Sequence, residues 1–297
     1  MPDICIVSDG KPGHSNQSLG LVEALQRQRP DISYSLCAPQ SFSTLSWLVI
    51  RHLFNRNSLP PAKVVIAAGH RTHVTMLVYG WLLGAKKVLL MKPSLPLRYF
   101  DLCLIPEHDQ PAEQPRVIET WGVLNRIVPA QKKAGTGLLL IGGPSKHFSW
   151  DEQSVLDQLS SVLSKYPQFD WALTTSRRTP SSFLTQLQAR KLNIKLIPHE
   201  ETGLNWLPSE LAVTEHCWVT EDSVSMVYEA LTAGCDVGLI TLANHGEGRL
   251  HHGLARLRAS NRVSSLRQPL LLDKKIVLTP FAEAQRCAAL ILKKGWL

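Results

Sequence analysis

Long apolar runs, paired cysteines and low-complexity tracts are all missing from this chain of 297 residues. The longest apolar stretch without a charged residue, Val74 to Ala85, is too short to span a bilayer, so a membrane-spanning helix is not expected. The start at Met1-Pro2-Asp3 has no basic stretch ahead of an apolar one, and no secretion signal is expected. Cys5, Cys37, Cys103, Cys217, Cys235 and Cys287 stand singly, without a C-x-x-C pair or a histidine at zinc spacing. They read as reduced core thiols of a cytoplasmic protein that has no structural metal. The basic residues neither form runs nor interleave with aromatics, which removes nucleic acid from the expected partners. No internal repeat is evident.

What is present supports globular cores: 44% of the residues are hydrophobic, enough for one large or two ordinary domains. The net charge of +8 is uneven, because residues 1–134 hold 15 Lys and Arg against 9 Asp and Glu. Such a bias draws anionic lipid or phosphorylated substrates and leaves the reaction open.

Short apolar runs alternate with helical periodicity through both halves, the pattern of an α/β protein with parallel sheets. In the first half, strands are expected at Ile4 to Ser8, Val64 to Ala68, Val88 to Met91 and Leu102 to Ile105. The loop GKPGHSNQ, residues 10–17, joins the first of these to a helix expected from about Ser18 to Arg29. The polar segment Pro129 to Gly137 is the expected boundary, giving domains 1–134 and 135–297. Beyond it the pattern resumes, with strands at Leu138 to Ile141, Trp171 to Thr174, Ile194 to Ile197, Cys217 to Thr220 and Val237 to Thr241.

In open α/β sheets ligands sit at the carboxyl ends of the strands, so the loops there hold the candidate residues. VTEDSVSMVYEAL, from Val219, reads as a strand, a small-residue turn and a helix. Ser223, Ser225 and the first helix amides suit a diphosphate, and Glu229, about a turn further on, suits the vicinal hydroxyls of a ribose. The same residues also fit a capped core helix with a solvated glutamate. Gly142, Gly143, Ser145 and Lys146 follow one strand, and Ser176, Arg177 and Arg178 another, so three phosphate-friendly loops are expected on one rim.

In the first half, Asp9, Gly10, Lys11, Gly13, His14 and Asn16 make a loop similar to a phosphate cradle. It lacks Walker A spacing, which weakens ATP-type phosphoryl transfer; His14 is the leading base or phosphate ligand. His70, Arg71, Glu107 and His108 are candidate acceptor contacts, or else ordinary loop residues. His245, His251 and His252 do not have metal-motif spacing. The segment Ser41 to Asn57 carries Phe42, Trp47, Ile50, Leu53 and Phe54 with Arg51 and Arg56, which fits a helix lying on a membrane surface as well as a core helix.

GKPGHSNQ, IGGPSKHFSWD, TTSRRTP and VTEDSVSMVYEAL, in that order, resemble the bacterial branch of the family named after the plant elongated-mitochondria fission factor. The likeness runs over nearly the whole chain. It implies a GT-B-like fold of two Rossmann-like domains facing across a cleft, with the acceptor in the first, the nucleotide in the second, and a last helix, Pro280 to Lys294, crossing back. It implies a metal-independent glycosyltransferase without a cofactor, moving a sugar from a nucleotide donor to a cell-envelope glycan or lipid-linked acceptor. Gly143, Ser145, Arg177, Ser223 and Ser225 would surround the diphosphate, Glu229 the ribose, and His14 or Asp9 would be the base. The expected location is cytoplasmic, with peripheral contact on the inner face of the cytoplasmic membrane. Two departures stand out: Asp236 replaces a proline common after the helix end, and Asp222-Ser223 replaces a Gly-Gly or Ser-Gly turn. The competing reading is a non-catalytic protein of the same fold that recruits a partner at a membrane.

Overall fold

A computed structural model describes residues 2–54, 59–203, 205–243, 249–267 and 281–297. The chain divides into two compact units, Met1–Arg126 with Ala282–Leu297, and Ile127–Phe281. Among the described residues each holds one six-stranded sheet in which every pairing is parallel.

In unit 1 the order is β1 (Ile4–Val7), α1 (Pro12–Gln28), β2 (Tyr34–Cys37), α2 (Phe42–Phe54), β3 (Val64–Ala68), α3 (His73–Leu83), β4 (Lys86–Leu90), β5 (Leu102–Pro106) and β6 (Val117–Thr120). The strands lie as β2-β1-β3-β4-β5-β6, with Ile6 beside both Leu36 and Ile66. Strands β1, β3 and β5 are buried at every position, as a parallel sheet covered on both faces requires. Ile4, Ile6 and Ile66 pack with Leu21 and Leu25 of α1. Val7, Val65 and Leu89 pack with Leu48 of α2 and Met76 of α3 on the opposite face.

Helix α1 begins at Pro12, so most of the stretch read as a loop before Ser18 is its first turns. Proline suits this place, because its fixed φ is helical and its missing N–H would have no intrahelical acceptor there. The expected strand at Val88 to Met91 is shifted to Lys86–Leu90, and Met91 leaves it at φ 75°.

Unit 2 contains β7 (Thr136–Leu140), α4 (Glu152–Lys165), β8 (Asp170–Thr174), α5 (Ser181–Ala189), β9 (Lys195–Ile197), α6 (Trp206–Val213), β10 (His216–Thr220), α7 (Val224–Ala233), β11 (Asp236–Ile240), α8 (Arg249–Ala259) and β12 (Ser264–Ser265). Its strand order is β12-β11-β10-β7-β8-β9. Asp151 starts α4 by accepting from the amides of Gln153 and Ser154.

The final helix, α9 (Glu283–Leu292), belongs to unit 1. Ala284, Cys287, Ala288 and Ile291 join Leu21 and Leu25 in the core. Its start is held by Glu283, which accepts from the Trp121 amide at 3.0 Å, and by Gln28, which donates to the Gln285 carbonyl at 3.0 Å. The expected start of this helix, Pro280, lies outside the described residues. The division at Arg126 and Ile127 precedes the expected one because the polar stretch after it is tied into unit 2: Lys133 N–H donates to Val213 O at 2.8 Å and Lys132 Nζ to Leu211 O at 2.7 Å. All six cysteines are free thiols.

Candidate functional site

In both sheets the order of strand addition reverses once, and at each reversal neighbouring loops part at the carboxyl ends of the strands, leaving room for a ligand. In unit 1 the reversal lies between β1 and β3; in unit 2 it lies between β7 and β10.

The β1 side of the first reversal carries Asp9 and His14. The Asp9 side chain is 3% exposed and its Oδ1 accepts from the Lys11 amide at 3.2 Å. His14 Nδ1 lies 3.0 Å from Oδ1 and 3.1 Å from Oδ2 of the same carboxylate. Burial pushes the Asp9 carboxyl up, but the Lys11 amide, the His14 hydrogen bond and the charges of His14 and Lys11 outweigh it and hold the group below its ordinary value. An ionised Asp9 assigns the proton to Nδ1 and leaves Nε2 as the basic nitrogen. From the β3 side, Gly69 (φ 85°) presses its backbone against the imidazole; a Cβ there would come within 2.3 Å of His14 Cε1. Positive φ and this contact both demand glycine.

Next to the pair is a cavity of about 260 Å³, walled by Ile6, Leu19, Leu36 and Ala38, with Ser8 and Ser15 among its lining. Their hydroxyls are 2.9 Å apart. Lys11 and Gly13 are exposed at the start of α1, Asn16 is half-buried on it, and His70 and Arg71 are exposed in the turn after Gly69. Glu107 and His108 follow β5, which β4 separates from β3, so they are not brought to His14. Glu107 is instead engaged by the Gly122 amide at 2.5 Å, and His108 keeps a buried Nδ1 without a hydrogen-bond partner.

In unit 2 the three expected loops do meet, but the residue that joins them is Asp222. Its side chain is fully buried, and Oδ2 lies 2.6 Å from Arg178 Nη2 while accepting from the Gly143 amide at 3.0 Å and the Ser223 hydroxyl at 3.2 Å. Arg178 also donates to the carbonyls of Gly143 at 2.9 Å and Pro144 at 3.1 Å. Two groups expected on a diphosphate, at Gly143 and Ser223, and the nucleotide-binding candidate Arg178 are therefore engaged by a carboxylate of the chain itself. Close approach requires glycine here: a Cβ on Gly142 would lie 2.1 Å from Asp222 Oδ2, and one on Gly143 2.1 Å from Arg178 O. Thr179 donates to Gly142 O at 2.5 Å, and Thr220 accepts from the Gly142 amide at 2.8 Å.

Ser145 accepts from the amides of His147 and Phe148, and Ser176 from that of Arg178, so both shape their own turns. Lys146, Arg177 and Ser225 are exposed. Ser223 is the buried cap residue of α7, and Glu229 is half-buried in its second turn. Behind this rim, buried Glu221 accepts from the Leu242 amide at 3.0 Å and pairs with Arg258 of α8. Sequence reasoning missed Asp222, Gly69, Thr179 and Thr220 as shapers of the two sites. The one available signal was Asp222 itself, an acid in a turn otherwise built to attract anions.

The model of the Mitochondrial fission ELM1 family matches residues 12–294. The chain belongs to that family. A relative of this chain, an uncharacterized protein of Rickettsia prowazekii (strain Madrid E), is 25% identical over 289 residues, covering 78% of this chain and 81% of the relative. Among solved structures, this chain is similar to a putative UDP-N-acetylglucosamine 2-epimerase from Listeria monocytogenes, with TM-score 0.61 and 10% identity over 98% of this chain and 95% of that one. It is also similar to the UDP-GlcNAc 2-epimerase from Neisseria meningitidis bound to UDP-GlcNAc, with TM-score 0.59 and 10% identity over 99% of each chain. At such identities the likeness establishes the fold, that of the two Rossmann-like units of GT-B proteins.

Proposed function

We propose that this ELM1-family chain is a metal-independent glycosyltransferase that binds a nucleotide sugar through unit 2 and activates an acceptor hydroxyl at His14 of unit 1. The observation that carries the reading is the Asp9–His14 pair: a buried carboxylate orients an imidazole that is 17% exposed, at a helix start beside the carboxyl ends of the strands, where open α/β sheets bind ligands. In the reaction Nε2 takes the proton of the acceptor hydroxyl, whose oxygen bonds the anomeric carbon as the bond to the diphosphate oxygen breaks and the electron pair leaves with the nucleotide. Exposed Arg177 and the first amides of α7 would stabilise the departing diphosphate, and Glu229 would accept from the ribose. The neighbours in fold include a protein bound to UDP-GlcNAc, which supports a uridine nucleotide as the first ligand to try. The acceptor is proposed to be a glycan or a lipid-linked saccharide.

One observation favours the second reading, a non-catalytic member of the fold: Asp222 already occupies the donors of the unit 2 loops. Titration calorimetry with UDP, CDP and their common sugar conjugates separates the two. Saturable binding that Arg177→Ala weakens supports the enzyme, and turnover then follows from release of nucleotide in the presence of candidate acceptors. Absence of heat with every nucleotide would abandon the enzyme for the second reading.

A further inference from the structure

Helix α2 shows its apolar side to solvent. Only Leu45 and Leu48 of this helix are buried, whereas Phe42 is 83%, Trp47 54%, Ile50 56%, Leu53 70% and Phe54 88% exposed. Neighbouring α3 adds Val74 and Trp81, 54% and 60% exposed, and the ring of Trp81 lies 5.8 Å from that of His52, joining the two helices into one apolar face. Exposed large side chains scattered singly need no explanation; seven on two adjoining helices do.

Charge identifies the occupant. From Ile32 to Phe100 there is no Asp or Glu, while eight of the 32 Lys and Arg fall in that stretch, so it alone accounts for the net +8. The Arg51 guanidinium lies 5.0 Å over the Trp47 ring, at the edge of the exposed face, and Arg71 is exposed just ahead of α3. Lys63, Lys86 and Lys87 stand at the amino ends of β3 and β4, the end of the layer where α2 and α3 finish in a parallel βαβ arrangement. Lys63 pairs with Asp3 at 2.9 Å, and Lys87 and Lys86 lie 2.8 and 4.0 Å from Asp101, so the three cations at that end meet two carboxylates and leave it with one net positive charge. Apolar and aromatic side chains edged by Arg51 and Arg71 match the interface of an anionic bilayer, where the rings sit at headgroup depth and the cations meet the lipid phosphates. Helices α2 and α3 themselves carry no Asp or Glu, and an anionic lipid surface offers the one sign of charge that matches them. No helix of the described residues is long and apolar enough to cross a membrane, so the contact is made along the surface.

We infer that the α2–α3 face of unit 1 docks flat on an anionic lipid bilayer, with Phe42, Trp47, Ile50, Leu53, Phe54 and Trp81 entering the interfacial layer. This inference is independent of the nucleotide reading. It is tested by co-sedimenting the full chain with vesicles of phosphatidylglycerol and phosphatidylcholine, and with phosphatidylcholine alone, at low and high salt. The expected result is binding to the anionic vesicles, at least tenfold weaker to the neutral ones and weakened by salt. The double variant Leu53→Glu with Phe54→Glu alters only solvent-facing side chains, so it should keep the melting temperature and lose at least tenfold in binding. A second variant, Trp47→Ser with Trp81→Ser, should do the same without adding charge. No sedimentation with anionic vesicles, binding indifferent to lipid charge, or binding unchanged in both variants would overturn the inference. So would a dimer in solution that dissolves in these variants, which would assign the face to a second copy of the chain.

Discussion

At the residue scale, His14 and the two adjacent arginines separate chemistry, ligand binding and scaffold. His14→Asn keeps a side chain able to hydrogen-bond Asp9 while removing the basic nitrogen. Once donor and acceptor are known, it should slow turnover by about 10²-fold or more and leave nucleotide affinity within a few fold, read as kcat against the calorimetric Kd. Near-normal kcat would pass the base role to Asp9. Arg178→Ala leaves the buried Asp222 carboxylate without its cation and should cost about 2 kcal/mol in a denaturant melt, less than a fully buried pair because the guanidinium is 42% exposed. Arg177→Ala should leave the melt within about 0.5 kcal/mol and weaken diphosphate binding by about 1.5 to 3 kcal/mol. Equal destabilisation by the two changes would contradict the division of labour between these neighbours. The sequence showed both arginines in one phosphate-friendly turn and its reading put Arg177 on the diphosphate, but it gave no sign that Arg178 is held by a carboxylate of the chain. That pairing depends on Asp222, 44 positions from Arg178, and these residues meet only because β7 lies between β8 and β10 in the sheet.

At the element scale, strands were legible and their edges less so. Ile4 to Val7 and Val64 to Ala68 are uninterrupted apolar runs, which both faces of a covered parallel sheet demand. The start of α1 was hidden because proline, two glycines and polar residues usually signal a turn, yet proline is also at home in a first helical turn. Strand order leaves no local mark, so the reversal that brings Gly69 to His14 could not be read ahead of the structure. At the opposite end of the same sheet, Asp3 ties three strands: Oδ1 lies 2.9 Å from Lys63 Nζ, and Oδ2 accepts from the Ser33 amide at 3.1 Å. The Lys63 hydrogen bond and the Ser33 amide bring the Asp3 carboxyl down to about 2. A folded value below the unfolded one stabilises the fold above the ordinary carboxylate range and loses that contribution as pH falls from about 4 towards 2. Asp3→Asn should therefore melt lower than wild type at pH 6, with the difference shrinking towards pH 2; a constant difference would show that ionisation of Asp3 is not what matters.

At the scale of the whole molecule, unit 2 is one continuous segment and unit 1 is assembled from two. A fragment of residues 127–281 should give a cooperative thermal transition by itself. Residues 1–126 should not, because α1 then lacks Cys287, Ala288 and Ile291 against Leu21 and Leu25. Adding 282–297 through a short linker should restore at least ~3 kcal/mol, the scale of burying Ile291 and its smaller neighbours. A stable 1–126 fragment would mean that α9 decorates the core without completing it. The same division sets an order of events at the ribosome. The sheet of unit 1 is synthesised first, yet its last helix emerges only after all of unit 2, a delay on the order of ten seconds at ordinary elongation rates. During that interval the nascent first half presents an unfinished apolar flank, while the later-made segment can already fold behind it. Trigger-type chaperones would thus be met by the beginning of this protein, and a ribosome that stalls late would release a chain whose second unit is sound and whose first is marked for proteolysis.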